Sequence, residues 1–554
     1  MLKVQSSKII IYQVFTRLYG NRCTNRMEDG TIAENGCGKL NDFTPKSLKA
    51  IKEMGVSHIW YTGVIRHASQ TDYTQYGIPR QHAAVVKGKA GSPYAITDYY
   101  DIDPDLAENV EQRMQEFEAL VERTHKAGLK VIIDFVPNHV ARQYHSICKP
   151  KGVKDLGEED NPQNGFDPQN NFYYCPGQRF HPYFDLYHGE AEEYYEEPAK
   201  ATGNDCFHNA PGMNDWYETV KLNYGVDYYA GGVGHFNPIP NTWDKMTEIL
   251  LFWAAKGVDG FRCDMAEMVP AAFWHWATDK VKYRYPECVF IGEVYNPGEY
   301  RNYLGAGFDY LYDKVGMYDT VRSVICNQQS AHAITGAWQQ TDDIKQHMLY
   351  FLENHDEQRV ASDFFAGDGR KGIPGLVVSA LLQQNPLMIY FGQEYGERGM
   401  DKEGFSGCDG RTTIFDYWSV DTMVRAANRK YTIREKYIYD MYCKVMTLAQ
   451  QEKAITQGEM FDLMYANGHL QRQYAFIRKH GTEAILVIAN FADQATTVNV
   501  NIPAHAFDYL GLSEKNAQVT DLLTDTKSRL HFKRDESVQI EVPSNGAAIL
   551  KFRA

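Results

Sequence analysis

Eight short apolar runs recur along this chain with helical patterns between most of them, and few folds accept that rhythm. The runs lie at 8–19, 56–64, 130–136, 260–264, 289–294, 308–312, 348–352 and 387–391. The third, KVIIDFV, is apolar almost throughout. Such a strand is buried on both faces, as in parallel sheets. Thr44-Pro45 opens a helix that stops at Gly55, and Asn109 caps another that stops at Gly128. Met246, Ile249, Leu250, Trp253 and Ala254 mark a further helix ending at Lys256-Gly257. Eight strands in strict β–helix alternation predict an α/β chain folded as a (β/α)8 TIM barrel.

The rhythm breaks in three places. Residues 65–93 read as a long polar loop. From 141 to 225 the chain is rich in Asn, Tyr, His, Pro and Gly, with weak periodicity. A structureless loop of that length is uncommon in a compact domain, so a small inserted domain after strand 3 is predicted. Beyond 452 the period changes to two: Tyr474 and Phe476, then Val498, Val500 and Ile502, then Val538, Ile540 and Val542. Alternation with turn residues between predicts antiparallel β, a C-terminal β-sandwich. The predicted division is 1–140 with 226–452 for the barrel, 141–225 for the inserted domain B and 453–554 for the sandwich.

Bulk properties narrow the function. The formal net charge is −14 and no lysine- or arginine-rich block stands out, which argues against nucleic acid as a partner. No run of about 18 apolar residues exists, so no membrane span is predicted. Aromatics make up 13 % of the chain, with 38 Tyr and 8 Trp. Such residues fill cores and also suit flat, hydroxyl-rich ligands. The ten cysteines form no C-x-x-C pair and no zinc spacing, so a mostly reduced protein is expected. The start, MLKVQSSKIIIYQVF, has no leader-like apolar region with a small-residue cleavage site. The expected location is cytoplasmic, with an export signal removed earlier left open.

The stretch 257–268, GVDGFRCDMAEM, carries the first chemistry. Residues i and i+2 of a strand share a face, so Arg262 and Asp264 point together and Cys263 points away. They fall at a strand's carboxyl end, where barrels place their active sites. Asp134 ends the third strand, Glu293 the fifth, and Asn354, His355 and Asp356 the seventh. All would ring one pocket. Two carboxylates about 5–5.5 Å apart equip a retaining glycosidase.

DFVPNH at 134–139, GFRCDMAE at 260–267, GEV at 292–294 and ENHD at 353–356 resemble the four short motifs of the α-amylase family, glycoside hydrolase family 13. They come in the family's order, and the resemblance covers essentially the whole chain. It implies a retaining hydrolase of α-1,4-glucosidic bonds in starch, glycogen or maltodextrins. Asp264 resembles the nucleophile and Glu293 the general acid and then base. Asp356 resembles the carboxylate that grips the sugar's 2- and 3-hydroxyls. Arg262 matches the arginine that keeps the nucleophile ionised. His139 and His355 match the histidines that hydrogen-bond the sugar, and Tyr94, in SPYAITDYY, resembles the aromatic platform beneath it.

Departures from the pattern bear on metal and specificity. Asn138 matches a calcium ligand of the family, and no cofactor is implied for the chemistry itself. The family's Asp two residues before Asn223 is Lys221 here. Its ammonium could stand in a cation's place, so both readings stay open. The Lys-His pair common after the nucleophile is Glu267-Met268. Rival functions are an α-glucan transglycosylase or 4-α-glucanotransferase, an α-glucosidase on the same site, and a non-catalytic glucan-binding protein. The three acids argue against the last.

Overall fold

The computed structural model describes residues 8–185 and 192–554. The first seven residues, part of the stretch read for a leader, and 186–191 of the inserted segment lie outside the described residues. The eight predicted runs form a closed, all-parallel barrel. Its strands are β1 (Ile10–Phe15), β2 (His58–Thr62), β3 (Lys130–Phe135), β4 (Gly260–Cys263), β5 (Val289–Gly292), β6 (Tyr310–Tyr312), β7 (Met348–Phe351) and β8 (Leu387–Tyr390). Each pairs with its sequence neighbours, and β8 closes on β1 with Ile10 opposite Leu387.

Alternation assigns the two sides of each strand. Ile132 faces inward with Ile11, Trp60, Ile291, Leu349, Phe351 and Met388, and these fill the barrel. Ile133, Phe135, Phe261 and Cys263 face outward into the layer beneath the helices. That double burial is why KVIIDFV reads as apolar without alternation. The helix Asn241–Ala255 buries Trp243, Met246, Leu250 and Trp253 along one face. Gly257, at φ 87°, then turns the chain into β4.

Three local expectations change. The first strand is shorter than 8–19, and Thr16–Tyr19 forms a helical turn. Its ladder partners run out, since Gln13 is opposite Tyr390 and Phe15 opposite Thr62 at the strand ends. The loop 65–93 is not wholly irregular. Ile65–His67 pairs antiparallel with Ile96–Ile102, and buried Arg66 sits between Asp98 and Asp101 at 3.3 and 3.6 Å. A three-residue charged strand gives no periodic signal. Asn109 caps a 3₁₀ turn, Val110–Gln112, and the α-helix starts one turn later at Arg113.

Within 141–225 the described residues hold short ladders. His139–Ala141 pairs with Thr219–Lys221, so the segment leaves and rejoins the barrel on one two-stranded stem. Tyr174–Cys175 pairs with Ala199–Lys200. The C-terminal region is antiparallel, a six-stranded sheet with a two-stranded sheet of Thr496–Ile502 and Glu536–Val542. Arg478 of its second strand is fully buried and donates to the carbonyls of Leu382, Ala454, Ile455 and Gly458. One guanidinium thus ties the sheet to the barrel. All ten cysteines are free. No helix among the described residues is long and apolar enough to cross a membrane.

Candidate active site

Arg262 is the centre of the site. It stands on β4 facing inward, opposite Asp134 of β3 and Ile291 of β5, and is fully buried. A buried charge is costly unless paired, and this one is surrounded by acids. Its Nη1 lies 2.6 Å from Asp264 Oδ1 and 3.6 Å from Asp134 Oδ1. Its Nη2 lies 2.7 Å from Glu293 Oε2. Nε donates to the Tyr312 hydroxyl at 3.2 Å. The rings of Trp60, Tyr94 and Tyr312 lie 5.2, 5.5 and 5.6 Å from the guanidinium carbon, within cation–π range.

The acids are aimed by backbone that continues the ladders past the strand ends. Asp264 N–H donates to the Phe135 carbonyl and Glu293 N–H to the Cys263 carbonyl. Met265 then turns at φ 42°, ψ 45°, a left-handed conformation costing a residue with a side chain about 1–2 kcal/mol. The turn aims the Met265 N–H at Glu293 Oε2, 2.8 Å away. Beyond β7, Asn354 Oδ1 accepts the N–H groups of Asp356 and Glu357 and fixes the Asp356 loop.

His355 and Tyr94 form the wall. The Gln13 amide nitrogen reaches His355 Nδ1 at 2.9 Å. That nitrogen can only donate, so Nδ1 accepts and Nε2 carries the proton. Nε2 lies 2.6 Å from the Tyr94 hydroxyl and 3.1 Å from Asp356 Oδ2. Tyr94 in turn donates to Asp134 at 3.4 Å. The Tyr94 and His355 rings stack with centroids 5.2 Å apart. Burial and Arg262 hold His355 well below the usual imidazole range, so it is neutral. His139 is also neutral, pushed down to about 3 by burial and by Lys221 and Lys87. Its ring packs 5.2 Å from that of Trp216, and its Nδ1 lies 3.1 Å from the Asn138 amide nitrogen.

Three carboxylates on one guanidinium, with Asp356 feeling the charge of Glu293 beside them, cannot all ionise cheaply. Burial raises Asp264 well above the ordinary range, against the pull of Arg262. Asp134 is pushed up to about 6 by burial. Asp356 is pushed up to about 7, first by burial and then by Glu293. Its side chain is 40 % exposed, which tempers the shift. A carboxyl raised in the folded state binds a proton there that the unfolded chain, near 3.9, has already lost. Its penalty is absent below about pH 3.9 and complete above the folded value. Asp356→Asn should therefore raise Tm by about a few degrees at pH 8, and the gap should close as pH falls to about 4. Melting curves across that range check this. A variant less stable than the parent at pH 8 contradicts it.

A cavity of about 320 Å³ opens beside these groups, lined by His355, Asp356, Phe405, Arg411, Thr413 and Phe415 among others. Asn138 lies elsewhere. Its Oδ1 accepts a hydrogen bond from Lys221 Nζ, and its Nδ2 donates to the Gly203 carbonyl at 2.7 Å. Lys221 is buried, and Nζ also lies 2.7 Å from Asp205 Oδ1.

The structure thus brings Arg262, Asp264, Glu293, Asp356, His355 and Tyr94 together, packs His139 against Trp216 and Asn138, and sets Lys221 on the Asn138 oxygen. Sequence reasoning misses Gln13, Trp60, Tyr312 and Tyr295 as site residues and gives Asp134 no task. The first three are inward-facing strand residues, findable by counting outward in twos once the barrel is drawn. Tyr295 lies past a strand and carries no such signal.

The family model of the α-amylase catalytic domain matches residues 17–436, and that of the α-amylase C-terminal all-β domain matches 466–553. Alpha-amylase 3 of Dictyoglomus thermophilum is 22 % identical over 517 residues, 89 % of this chain and 86 % of its own length. An α-amylase of Streptomyces lividans is 24 % identical over 588 residues, 97 % of this chain and 58 % of its own length. A noncanonic maltogenic α-amylase from Thermotoga neapolitana superposes with a TM-score of 0.64 at 22 % identity, covering 99 % of both chains. At that identity the superposition speaks for the fold alone. The catalytic-domain match spans most of the sequence, and the chain belongs to the α-amylase family of glycoside hydrolases, enzymes that hydrolyse O-glycosyl bonds.

Proposed function

We propose that this chain hydrolyses α-1,4-glucosidic bonds of starch, glycogen or maltodextrins with retention of configuration. One observation carries the reading: the two terminal nitrogens of Arg262 hold Asp264 and Glu293 side by side, with Asp356 facing them. One guanidinium spanning two carboxyls is compatible with the about 5–5.5 Å separation of a retaining pair. Asp264 attacks the anomeric carbon while Glu293 gives its proton to the leaving oxygen. Water then attacks the glycosyl-enzyme ester, Glu293 takes its proton, and Asp264 leaves. Asp356, His355 and His139 hydrogen-bond the sugar's hydroxyls, and Tyr94 lies against the ring. Two inversions retain the configuration, so the first sugar released should be the α-anomer. Proton NMR of early product tests this, and initial β-anomer overturns the assignment. Products from starch, maltoheptaose and pullulan then give linkage and chain length.

We propose further that the junction at Asn138 works without calcium. A cation there would sit beside the Lys221 ammonium that already occupies the Asn138 oxygen, and like charges at that distance repel. These residues do not fit the ion. EDTA should leave Tm unchanged within about 1 °C, since no bound ion stabilises the native state. A large drop restored by calcium would restore Asn138 as a ligand.

A further inference from the structure

Glu293 is gripped on both oxygens. Oε2 accepts the Met265 N–H and lies beside Arg262. Oε1 accepts a hydrogen bond from the Tyr295 hydroxyl at 2.5 Å. Tyr295 stands past the end of β5, on loop, where no ladder fixes its direction. Glu267 fixes it instead. Its Oε2 accepts the backbone N–H groups of Tyr295 at 3.1 Å and of Asn296 at 3.0 Å. The Glu267 segment is itself tied down, since the Tyr303 hydroxyl donates to the carbonyls of Glu267 and Val269 at 3.0 and 2.9 Å. The contacts run from the helix Tyr300–Gly305 through the turn Ala266–Met268 to the loop after β5, and end on Glu293.

We propose that Tyr295, locked in place by Glu267, is a positioning residue for the general acid, a role resting on the reading of Glu293 given above. The acid must donate in one step and accept in the next from the same oxygen. A carboxyl free to swing would lose that aim. A backbone N–H can only donate, so Met265 suits one oxygen in either step. A phenol hydroxyl can donate to a carboxylate or, by rotating, accept from a carboxylic acid. Tyr295 therefore serves both protonation states of Oε1. Burial and the adjacent Glu293 push the Tyr295 hydroxyl well up, so it keeps its own proton. The charged and titratable groups around the pair are Arg262 of β4, Asp264 beyond it, Asp134 of β3, Tyr312 of β6 and Asp356 after β7. All of them stay in place when the Tyr295 hydroxyl is removed.

Tyr295→Phe keeps the ring and deletes the oxygen. Turnover on maltoheptaose should fall about 10- to 100-fold with KM within about threefold. The alkaline limb of the activity profile, which belongs to the coupled acids as a group, should move up, because a hydroxyl that donates to one of the carboxylates is gone. The first step on an α-glycosyl fluoride, whose leaving group departs without a proton, should stay within about threefold of the parent. Glu267→Ala should repeat this pattern more weakly. Glu267→Gln should restore parental behaviour, since its amide oxygen still accepts both N–H groups. If Tyr295→Phe loses both substrates equally and leaves the alkaline limb in place, the tyrosine merely fills space and the proposal falls. Glu293→Gln in the same assays separates the two readings. If that variant spares the fluoride while Tyr295→Phe shifts neither limb nor ratio, the positioning role alone is wrong. If Glu293→Gln loses both substrates equally, the acid assignment goes with it.

Discussion

Asp264→Asn should lower turnover on maltoheptaose by about 10⁴-fold or more while the protein folds and still binds glucan. The asparagine keeps the shape of the side chain and the backbone link to the Phe135 carbonyl. It removes the electron pair that would attack the anomeric carbon. Arg262 loses one of its three acid neighbours but keeps Asp134 and Glu293. The buried guanidinium therefore stays paired and the barrel has no new orphan charge. Asp264 is also raised by burial, so its carboxylate is itself a strain on the fold at neutral pH. Removing it should not lower Tm. The check is turnover beside a circular dichroism spectrum and a glucan-binding isotherm. Parental turnover in a folded variant would sink the nucleophile assignment, and lost binding with lost structure would show Asp264 to be structural.

Glu293→Gln should separate two substrates that differ only in the leaving group. On a glucan the departing sugar oxygen needs a proton, and losing the donor should cost about 10²- to 10⁴-fold. Fluoride leaves without one, so the first step on an α-glycosyl fluoride should drop by less than about tenfold. The glutamine can still accept the Met265 N–H on its amide oxygen, so the loop geometry survives. Asp264, Asp356 and Asp134 all surround Glu293, so the parent's pH limbs belong to the group of acids rather than to one residue. The substrate comparison avoids that ambiguity because it asks who donates, not at what pH. Equal loss on both substrates means that Glu293 is not the acid and that another carboxyl of the ring must be sought.

Local physics made the barrel legible. The double burial of KVIIDFV, the Thr44 cap that accepts the Ser47 N–H and the glycine turn at Gly257 each act over a few residues. Each leaves its mark in the chain. Period two set Arg262 and Asp264 on one face, and they do touch. The same logic failed where elements are too short to show a period. The strand Ile65–His67 and the two-residue ladders of the inserted segment have no repeat to read.

The sequence by itself determined the eight strands, their order and the acids at their ends, because these follow from contacts between near neighbours. Only the tertiary structure decided who meets whom across the barrel. Arg262 finds Asp134 and Glu293 through the stagger of parallel strands, opposite Asp134 on one side and Ile291 on the other, and stagger is a property of closure. Lys221 reaches Asn138, 83 residues earlier, because the inserted segment returns on the same two-stranded stem. Tyr295 reaches Glu293 because Glu267, 28 residues earlier, holds its backbone. The Arg262, Lys221 and Glu267 contacts depend on chain closure rather than on pattern. Tyr295 and Glu293 are near neighbours in the chain, but the hold that aims one at the other comes from Glu267.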